Sequence, residues 1–196
     1  MSYLIGLTGS IGMGKSTAAQ MFREEGIPVW DADAAVHRLY EPGGVAVGPV
    51  GVAFPEAVLD GAISREALKK IIAANPSALG RLEKIVHPLV AQDRAAFIAA
   101  NPAPIVVVDI PLLYETGAEA WLDSVLVVSV SPEAQRARVL ARPGMTEAQF
   151  QAILSRQMSD EEKRRRADHL IETTTMDEAR ARVRALIDEL KAKADA

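Results

Sequence analysis

The fold of this chain is decided by the stretch Tyr3-Leu4-Ile5-Gly6-Leu7-Thr8-Gly9-Ser10-Ile11-Gly12-Met13-Gly14-Lys15-Ser16. Its residues 9–16 fit the pattern GxxxxGK(S/T), and they follow an apolar run and precede an amphipathic helical segment. Glycines allow the backbone to fold around phosphates, so that successive N–H groups and the helix N-terminus face the anion. Strand, loop and helix in this order predict a P-loop, a cradle for the phosphates of a nucleoside triphosphate.

Two side chains of this P-loop, residues 9–16, are expected to act directly on the nucleotide. Lys15 would reach the β- and γ-phosphates, and the Ser16 hydroxyl would bind Mg²⁺. A dinucleotide-binding loop is disfavoured, because Thr17 stands where the third glycine is required and Lys15 has no role there. The predicted ATP-binding residues of the segment are Gly9, Ser10, Ile11, Gly12, Met13, Gly14, Lys15, Ser16 and Thr17.

Along the rest of the chain, apolar runs alternate with helical patterns. The predicted strands cover residues 3–7, 28–30, 105–108, 125–130 and 169–171. The predicted helices between and after them cover residues 15–25, 132–141, 146–158 and 176–193. Near-continuous apolar strands suit a parallel sheet covered on both faces. The sequence therefore predicts an α/β fold of the P-loop NTPase type, a three-layer sandwich with a five-stranded parallel sheet.

Two segments interrupt the alternation. From residue 34 to 100 the chain shows no convincing strand, a Gly/Pro-rich loop at 42–51 and helical patterns at 65–74, 78–86 and 89–100. The boundary between the last two helices is placed at His87-Pro88, because the residue before proline disfavours the α region. The second segment, 142–166, is dense in charge, and its basic cluster Lys163 to Arg166 is typical of a solvated helix face with internal ion pairs.

Composition excludes several classes of function. At 196 residues the chain has room for one globular body at roughly 150 residues per domain. Its 22 basic and 26 acidic residues give a net charge of −4, so no overall positive field would attract nucleic acid or an anionic membrane. It has no cysteine, and its apolar runs are shorter than the ~20 residues of a membrane helix. We expect a soluble, cytoplasmic protein that binds neither nucleic acid nor membrane.

Three carboxylates are candidates for chemistry. Asp31 and Asp33 follow the second predicted strand and would share one side of an extended chain, roughly 7 Å apart. We assign capping of the following helix to Asp31 and acceptance of a proton from an attacking hydroxyl to Asp33, although the spacing alone does not decide between them. Asp109 ends an apolar run, where P-loop proteins place a carboxylate for Mg²⁺; the alternative is a turn that ends the strand before Pro111.

Two arginines are candidates for contact with the triphosphate. Arg138 and Arg142 are four residues apart and are expected on one helix face, from which they would meet the nucleotide when a lid closes. The alternative is that they lie on a solvated face. The role of Glu115 is left open by the residues around it.

Several motifs together resemble the dephospho-CoA kinase family. The matching pieces are Leu4 to Ser16, Asp31-Ala32-Asp33, Arg65 with Leu68, Leu82-Glu83, His87-Pro88, Asp109-Ile110-Pro111-Leu112-Leu113-Tyr114-Glu115, Gln135, Arg138, Arg142, Gln157 and Ala167-Asp168. They span nearly the whole chain in order. The P-loop is generic, whereas the Asp-Ala-Asp, His-Pro and Asp-Ile-Pro-Leu-Leu-Tyr-Glu pieces together are specific.

The resemblance implies a division of the chain and a set of site residues. It implies a nucleotide-binding core of residues 1–33, 101–141 and 167–196, a helical substrate subdomain at 34–100 and a lid at 142–166. By resemblance, Asp33 is the catalytic carboxylate and Arg142 the lid arginine. The implied substrate-binding residues are Asp33, Arg65, His87, Leu113 and Glu115; the implied metal ligands are Ser16 and Asp109.

The same resemblance implies the reaction and its partners. The expected activity is phosphorylation of the ribose 3′-hydroxyl of dephospho-CoA by ATP with Mg²⁺, in a monomer or a weak homo-oligomer. Another P-loop kinase, acting on a small molecule or a nucleoside monophosphate, is the alternative. A GTPase switch would need an Asn-Lys-x-Asp element, which is absent from the sequence, and an inactive module would be expected to have lost Lys15 or Asp33.

The chain departs from the family pattern at two places. Glu172-Thr173 stands where the family has an Asp-Asn pair near the adenine, and Phe54-Pro55 replaces a Phe-Gly pair. These departures bear on the adenine contacts and on the shape of one loop in the substrate subdomain.

Overall fold

The computed structural model describes residues 2–194, and the chain divides into two compact units. The first combines Met1–Trp30 with Asn101–Ala196, and the second is Asp31–Ala100. No helix within residues 2–194 is long and apolar enough to cross a membrane.

The strands form one large sheet and one small hairpin. In chain order they are β1 (Tyr3–Thr8), β2 (Val29–Asp31), β3 (Val58–Leu59), β4 (Ala62–Ile63), β5 (Ile105–Asp109), β6 (Ser124–Ser129) and β7 (His169–Glu172). The large sheet has the order β2-β5-β1-β6-β7, so the P-loop strand β1 lies at its centre. β1 runs parallel to β5 and β6, with Ile5 in register with Val107 and Ser124. The predicted five-stranded parallel sheet is confirmed.

Nine helices accompany these strands within the described residues. In chain order they are α1 (Lys15–Glu24), α2 (Ala32–Tyr40), α3 (Val47–Ala53), α4 (Arg65–Ala74), α5 (Ser77–Ala100), α6 (Pro132–Leu140), α7 (Glu147–Leu154), α8 (Asp160–Arg166) and α9 (Met176–Ala194). Short 3₁₀ turns occupy Pro55–Ala57 and Ala118–Trp121.

The first unit buries apolar side chains on both faces of its sheet. Successive side chains of a strand point to opposite faces, and β6 shows this clearly. Leu126 and Val128 pack in the cluster that contains residues of α1 and α9, whereas Val125 and Val127 pack with Tyr114 on the other face. The predicted three-layer α/β fold is therefore confirmed.

The second unit has a separate core. Its buried side chains come from α2, α3, α4 and α5 and include Leu39, Val50, Leu68, Leu82 and Val86. Arg38 and Asp93 join α2 to α5 by an ion pair of 2.8 Å.

The predicted helix boundary at His87-Pro88 is wrong. α5 continues through Pro88 for 24 residues, from Ser77 to Ala100. A proline inside a helix removes one backbone hydrogen bond. Here the apolar face continues across it, because Leu82 and Val86 are buried before the proline and Leu89 packs against the same core after it. Packing of this face outweighs the local cost of the proline.

Two further predictions for the second unit need correction. The segment 42–51 is not all loop, because α3 begins at Val47 and buries Val50 completely. The unit also contains the hairpin β3–β4, which pairs Val58 with Ile63. Its turn is Asp60-Gly61, with positive φ angles of 51° and 79°. Asp-Gly is a strong signal for a two-residue hairpin turn, so the hairpin was predictable from its turn residues.

The helix predicted at 146–158 is present but ends four residues early, and a further helix that was not predicted follows it. α7 ends at Leu154, and a new helix, α8, begins at Asp160 after the turn that follows. The Ser159 hydroxyl accepts a hydrogen bond from the Glu162 N–H and so caps α8. A serine at this position favours a new helix start over continuation of the old one.

Candidate nucleotide-binding site

The P-loop joins β1 to α1 at the carboxyl end of the central strand. Gly12 and Gly14 adopt positive φ angles of 78° and 91°, which side chains disfavour. A Cβ on Gly14 would also lie 2.8 Å from the Thr173 Oγ1 atom. The loop therefore requires glycine at position 14 for both its conformation and its close packing.

Side chains from three other segments fix the backbone of this loop. The Ile11 N–H donates to Gln157 Oε1 at 3.1 Å, and the Ile11 carbonyl accepts from Gln135 Nε2 at 2.8 Å. The Thr173 hydroxyl donates to the Met13 carbonyl at 2.6 Å. These contacts hold the peptide planes of the loop in defined orientations. Both glutamines match motifs of the family that the chain resembles, but no function was predicted for them.

Lys15 and Asp109 are brought together at the same edge of the sheet. The Lys15 Nζ atom lies 2.6 Å from Asp109 Oδ1, and Asp109 is only 2% exposed at the end of β5. The strands β1 and β5 are neighbours, so their carboxyl ends place both groups side by side. Ser16, the first residue after Lys15, is exposed.

The donor types at this edge fit Mg²⁺. The Ser16 hydroxyl and the Asp109 carboxylate are oxygen ligands, which hard cations such as Mg²⁺ prefer. Mg²⁺ in nucleotide sites is usually held by one or two protein oxygens together with phosphates and water, so a small protein donor set is sufficient.

The two arginines do not share a helix face, and that prediction is wrong. α6 ends at Leu140, so Arg142 lies beyond the helix and is exposed. Pro143 disfavours the α region at Arg142, which explains why the helix ends before it. Arg138 is in α6, and its guanidinium donates to the Thr173 hydroxyl at 3.0 Å and to the Thr173 carbonyl at 2.5 Å.

Glu172 and Thr173, which replace the Asp-Asn pair of the family, have different environments. Glu172 is exposed and pairs with Arg164 at 3.1 Å. Thr173 is 7% exposed and contacts both Arg138 and the P-loop residue Met13. Thr173 therefore links α6 to the P-loop through one hydroxyl.

Two adjacent leucines in the segment after β5 differ in their exposure to solvent. The resemblance assigns Leu113 to substrate binding. Its side chain is completely buried and packs with Tyr114, so it presents no surface to a substrate in this structure. Leu112 is 42% exposed instead. Burial raises the pKa of Tyr114 to about 12, and the Arg166 guanidinium lies 4.5 Å from the centre of its ring.

The basic cluster of α8 is solvated as predicted at Arg164, Arg165 and Arg166, which are exposed, but the prediction is wrong for Lys163. Only Arg165 makes the expected pair within the helix, with Glu162. Lys163 is completely buried, and its Nζ atom lies 3.1 Å from Glu115 Oε1. Arg166 pairs with Glu119, in the segment before β6. Lys163 is charged and lies in a charged run, so the sequence pattern gave no signal that its side chain is buried.

The remaining candidates belong to the second unit. Asp31 ends β2 and accepts a hydrogen bond from the Ala34 N–H at 3.0 Å, so it caps α2. Asp33 is exposed in the first turn of α2; the two aspartates therefore do not share one side of an extended chain. Arg65 lies with its guanidinium 5.5 Å from the centre of the Tyr40 ring, and His87 is exposed on α5.

Comparison with known proteins gives a consistent result. The sequence model of a family described as dephospho-CoA kinase matches residues 3–178. A dephospho-CoA kinase of Cereibacter sphaeroides is 62% identical over 99% of this chain and 98% of its own length. A dephospho-CoA kinase of Ruegeria pomeroyi is 59% identical over 98% of both chains.

Solved structures agree with the fold. A protein of Thermus thermophilus superposes with a TM-score of 0.86 at 37% identity, covering 96% of this chain and 98% of the other. Dephospho-CoA kinase from Campylobacter jejuni superposes with a TM-score of 0.65 over 96% of this chain and 97% of its own. At 24% identity, the second comparison supports the fold alone.

Proposed function

The chain belongs to the dephospho-CoA kinase family, and from this premise we propose that its P-loop, Asp33 and Arg142 carry out the phosphoryl transfer of that family. The reaction is the ATP-dependent phosphorylation of the ribose 3′-hydroxyl of dephospho-CoA, which gives coenzyme A and ADP in the last step of coenzyme A biosynthesis. The alternative, a kinase for another small molecule, is not favoured by relatives that match over nearly the full chain.

One observation supports the nucleotide site most directly. The P-loop is held by side chains from α6, from the turn before α8 and from the residue after β7, and its Lys15 lies beside Asp109. A loop that is already ordered does not need to lose conformational freedom when phosphates bind, which favours affinity. We assign the β- and γ-phosphates of ATP to the backbone N–H groups of this loop and to Lys15.

Mg²⁺ would be held by Ser16 and Asp109, and it supplies charge neutralisation for the triphosphate when bound. Lys15 contributes a second positive charge beside it. Ser16 is exposed and so accessible for this role, and Asp109 is the only buried acidic residue among the described residues.

The transfer itself forms a bond between the acceptor 3′-oxygen and the γ-phosphorus and breaks the bond to the oxygen that bridges to the β-phosphate. Asp33 takes the proton of the acceptor hydroxyl. Arg142 stabilises the charge on the transferring group. Its side chain is exposed after α6 and is therefore accessible to a ligand. A base contributes about 10²–10⁴ in rate and a well-placed arginine about 10³–10⁵. Arg142 is therefore expected to matter at least as much as Asp33.

The division of labour along the chain follows from this assignment. We assign nucleotide binding to residues 1–33, 101–141 and 167–196, recognition of dephospho-CoA to 34–100 with Arg65 and His87 as contacts, and lid closure to 142–166. We further propose a monomer or a weak homo-oligomer that works in the cytoplasm.

A coupled ADP-release assay tests the activity with a panel of acceptors. Dephospho-CoA is expected to support turnover, while AMP, adenosine, pantetheine and shikimate are expected to support little. Turnover with AMP and none with dephospho-CoA would refute the proposed function in favour of a nucleoside monophosphate kinase.

A further inference from the structure

Lys163 has the most unusual environment of the charged side chains in the described part of the chain. Its side chain is completely buried in α8, and its ammonium makes no hydrogen bond within residues 2–194. The 3.1 Å approach of Nζ to Glu115 Oε1 is therefore an ion pair without hydrogen-bond geometry. Burial of an ammonium is costly, and apolar residues of similar volume often replace buried ion pairs without loss of stability. Stability alone is thus a poor reason for a lysine here.

Glu115 connects Lys163 to the turn between α7 and α8. The same Oε1 atom that faces Lys163 accepts a hydrogen bond from the Met158 N–H at 2.7 Å. The Glu115 side chain is only 18% exposed, so its carboxylate faces protein groups more than solvent. Met158 also packs against the apolar cluster that contains Tyr114. The position of Met158 is consequently fixed by both a hydrogen bond and packing.

Met158 follows Gln157, which contacts the P-loop directly. The Gln157 side chain accepts a hydrogen bond from the Ile11 N–H. The carbonyl of Ile11 accepts a hydrogen bond from the Gln135 side chain. The position of Gln157 depends on the backbone next to it, which Glu115 holds. A continuous path of contacts thus runs from buried Lys163 through Glu115 and Met158 to Ile11.

We propose that Lys163 and Glu115 are positioning residues for the nucleotide site, which act by holding Gln157 against Ile11 of the P-loop. The proposal rests on the assignment of ATP to that loop. Neither side chain touches the nucleotide. Because Gln157 and Gln135 engage both polar groups at Ile11, this position anchors the loop, and the rest of the loop backbone is ordered before ATP binds. For Glu115 this role takes the place of the substrate contact that the resemblance implies.

The test measures the dissociation constant of a fluorescent ATP analogue with Mg²⁺, in the absence of acceptor. Lys163→Met keeps an unbranched side chain that is one heavy atom shorter and removes the charge. Gln157→Ala removes the contact with Ile11. Each variant is expected to bind about fivefold more weakly, which corresponds to the loss of one ordinary hydrogen bond. Lys191→Met is the matched control, because it makes the same change at an exposed position of α9 and should bind as the wild type does.

The double variant separates positioning from a purely structural role. If Lys163 acts through Gln157, the Lys163→Met/Gln157→Ala protein binds within twofold of Gln157→Ala alone. The KM for dephospho-CoA stays within twofold of wild type in Lys163→Met. Multiplicative losses in the double variant, unchanged nucleotide affinity in Lys163→Met, or equal losses for both substrates with a lowered Tm would overturn the proposal.

A second route remains if Lys163→Met does not fold. Glu115→Gln keeps an acceptor for the Met158 N–H but removes the charge that faces Lys163, and it is expected to weaken nucleotide binding several-fold. Wild-type affinity in that variant would overturn the proposal. Wild-type turnover with dephospho-CoA, measured separately, decides the proposed function and not this inference.

Discussion

The Lys15 ammonium lies 2.6 Å from the Asp109 carboxylate, so the cation of the P-loop is paired with the buried acid at the end of the neighbouring strand. The pair joins the start of α1 to the end of β5, 94 residues apart in sequence. A triphosphate and its metal ion would each offer one of these groups a new partner of opposite charge. The pair therefore holds both charges at the position where MgATP is proposed to bind.

Lys15→Ala is expected to abolish turnover and also to destabilise the protein. Its removal leaves the Asp109 carboxylate, only 2% exposed, without this cation. Loss of one partner of a buried carboxylate costs about 1–3 kcal/mol. Denaturant unfolding should show this loss, and the Lys15→Ala/Asp109→Asn protein should recover most of it while remaining inactive. Wild-type activity in Lys15→Ala would exclude the P-loop assignment.

Asp33→Asn and Asp31→Ala should separate catalysis from helix capping. Asp33 is exposed and makes no cap, so Asn there should leave the Tm unchanged and lower kcat by about 10²–10⁴, as expected for a lost base. Asp31 caps α2 through the Ala34 N–H, and Asp31→Ala should cost about 1 kcal/mol of stability. Normal kcat in Asp33→Asn would remove Asp33 from the chemistry.

Arg142→Lys and Arg138→Lys should affect different properties. Lysine keeps the charge at position 142 but not the planar fork that bridges two phosphate oxygens, so kcat should fall more than the KM for ATP rises. At position 138 the guanidinium donates two hydrogen bonds to Thr173, so Arg138→Lys should lower the Tm. Equal kcat for Arg142→Lys and wild type would mean that Arg142 is only a surface residue.

The stability of the protein should fall in mild acid because of His169. Burial lowers the pKa of His169 in β7 below its ordinary value of 6.5, while Glu189 and Asp168 oppose the shift and Lys193 adds to it. The unfolded chain therefore takes up this proton at higher pH than the folded protein does. The free energy of unfolding is expected to decrease as pH falls below about 6.5 and to level off below the lowered pKa.

His169→Gln is the control for this effect. Proton uptake on unfolding, obtained from the slope of the unfolding free energy against pH, should be smaller in the variant over that interval. The wild-type uptake from this residue should be less than one proton, since the side chain is partly exposed. An identical slope in both proteins would assign the acid sensitivity to other groups.

Local sequence was sufficient for the parts of the fold that depend on neighbours in the chain. The glycine spacing of residues 9–16 predicted the P-loop, because its positive φ angles at Gly12 and Gly14 are a property of those residues. The apolar runs predicted the strands of the large sheet, because burial on both faces requires continuous apolar sequence. The Asp60-Gly61 turn was equally local and was missed only because its signal was not used.

Tertiary structure alone decided which polar side chains are buried and what they contact. Pro88 stays inside α5 because packing on both sides outweighs one lost hydrogen bond. The run of charges around Lys163 predicts a surface residue, yet its side chain is buried beside Glu115. Gln157 reaches Ile11 across 146 residues of sequence. Such contacts depend on where distant segments meet, and the charge or periodicity of one segment does not contain that information.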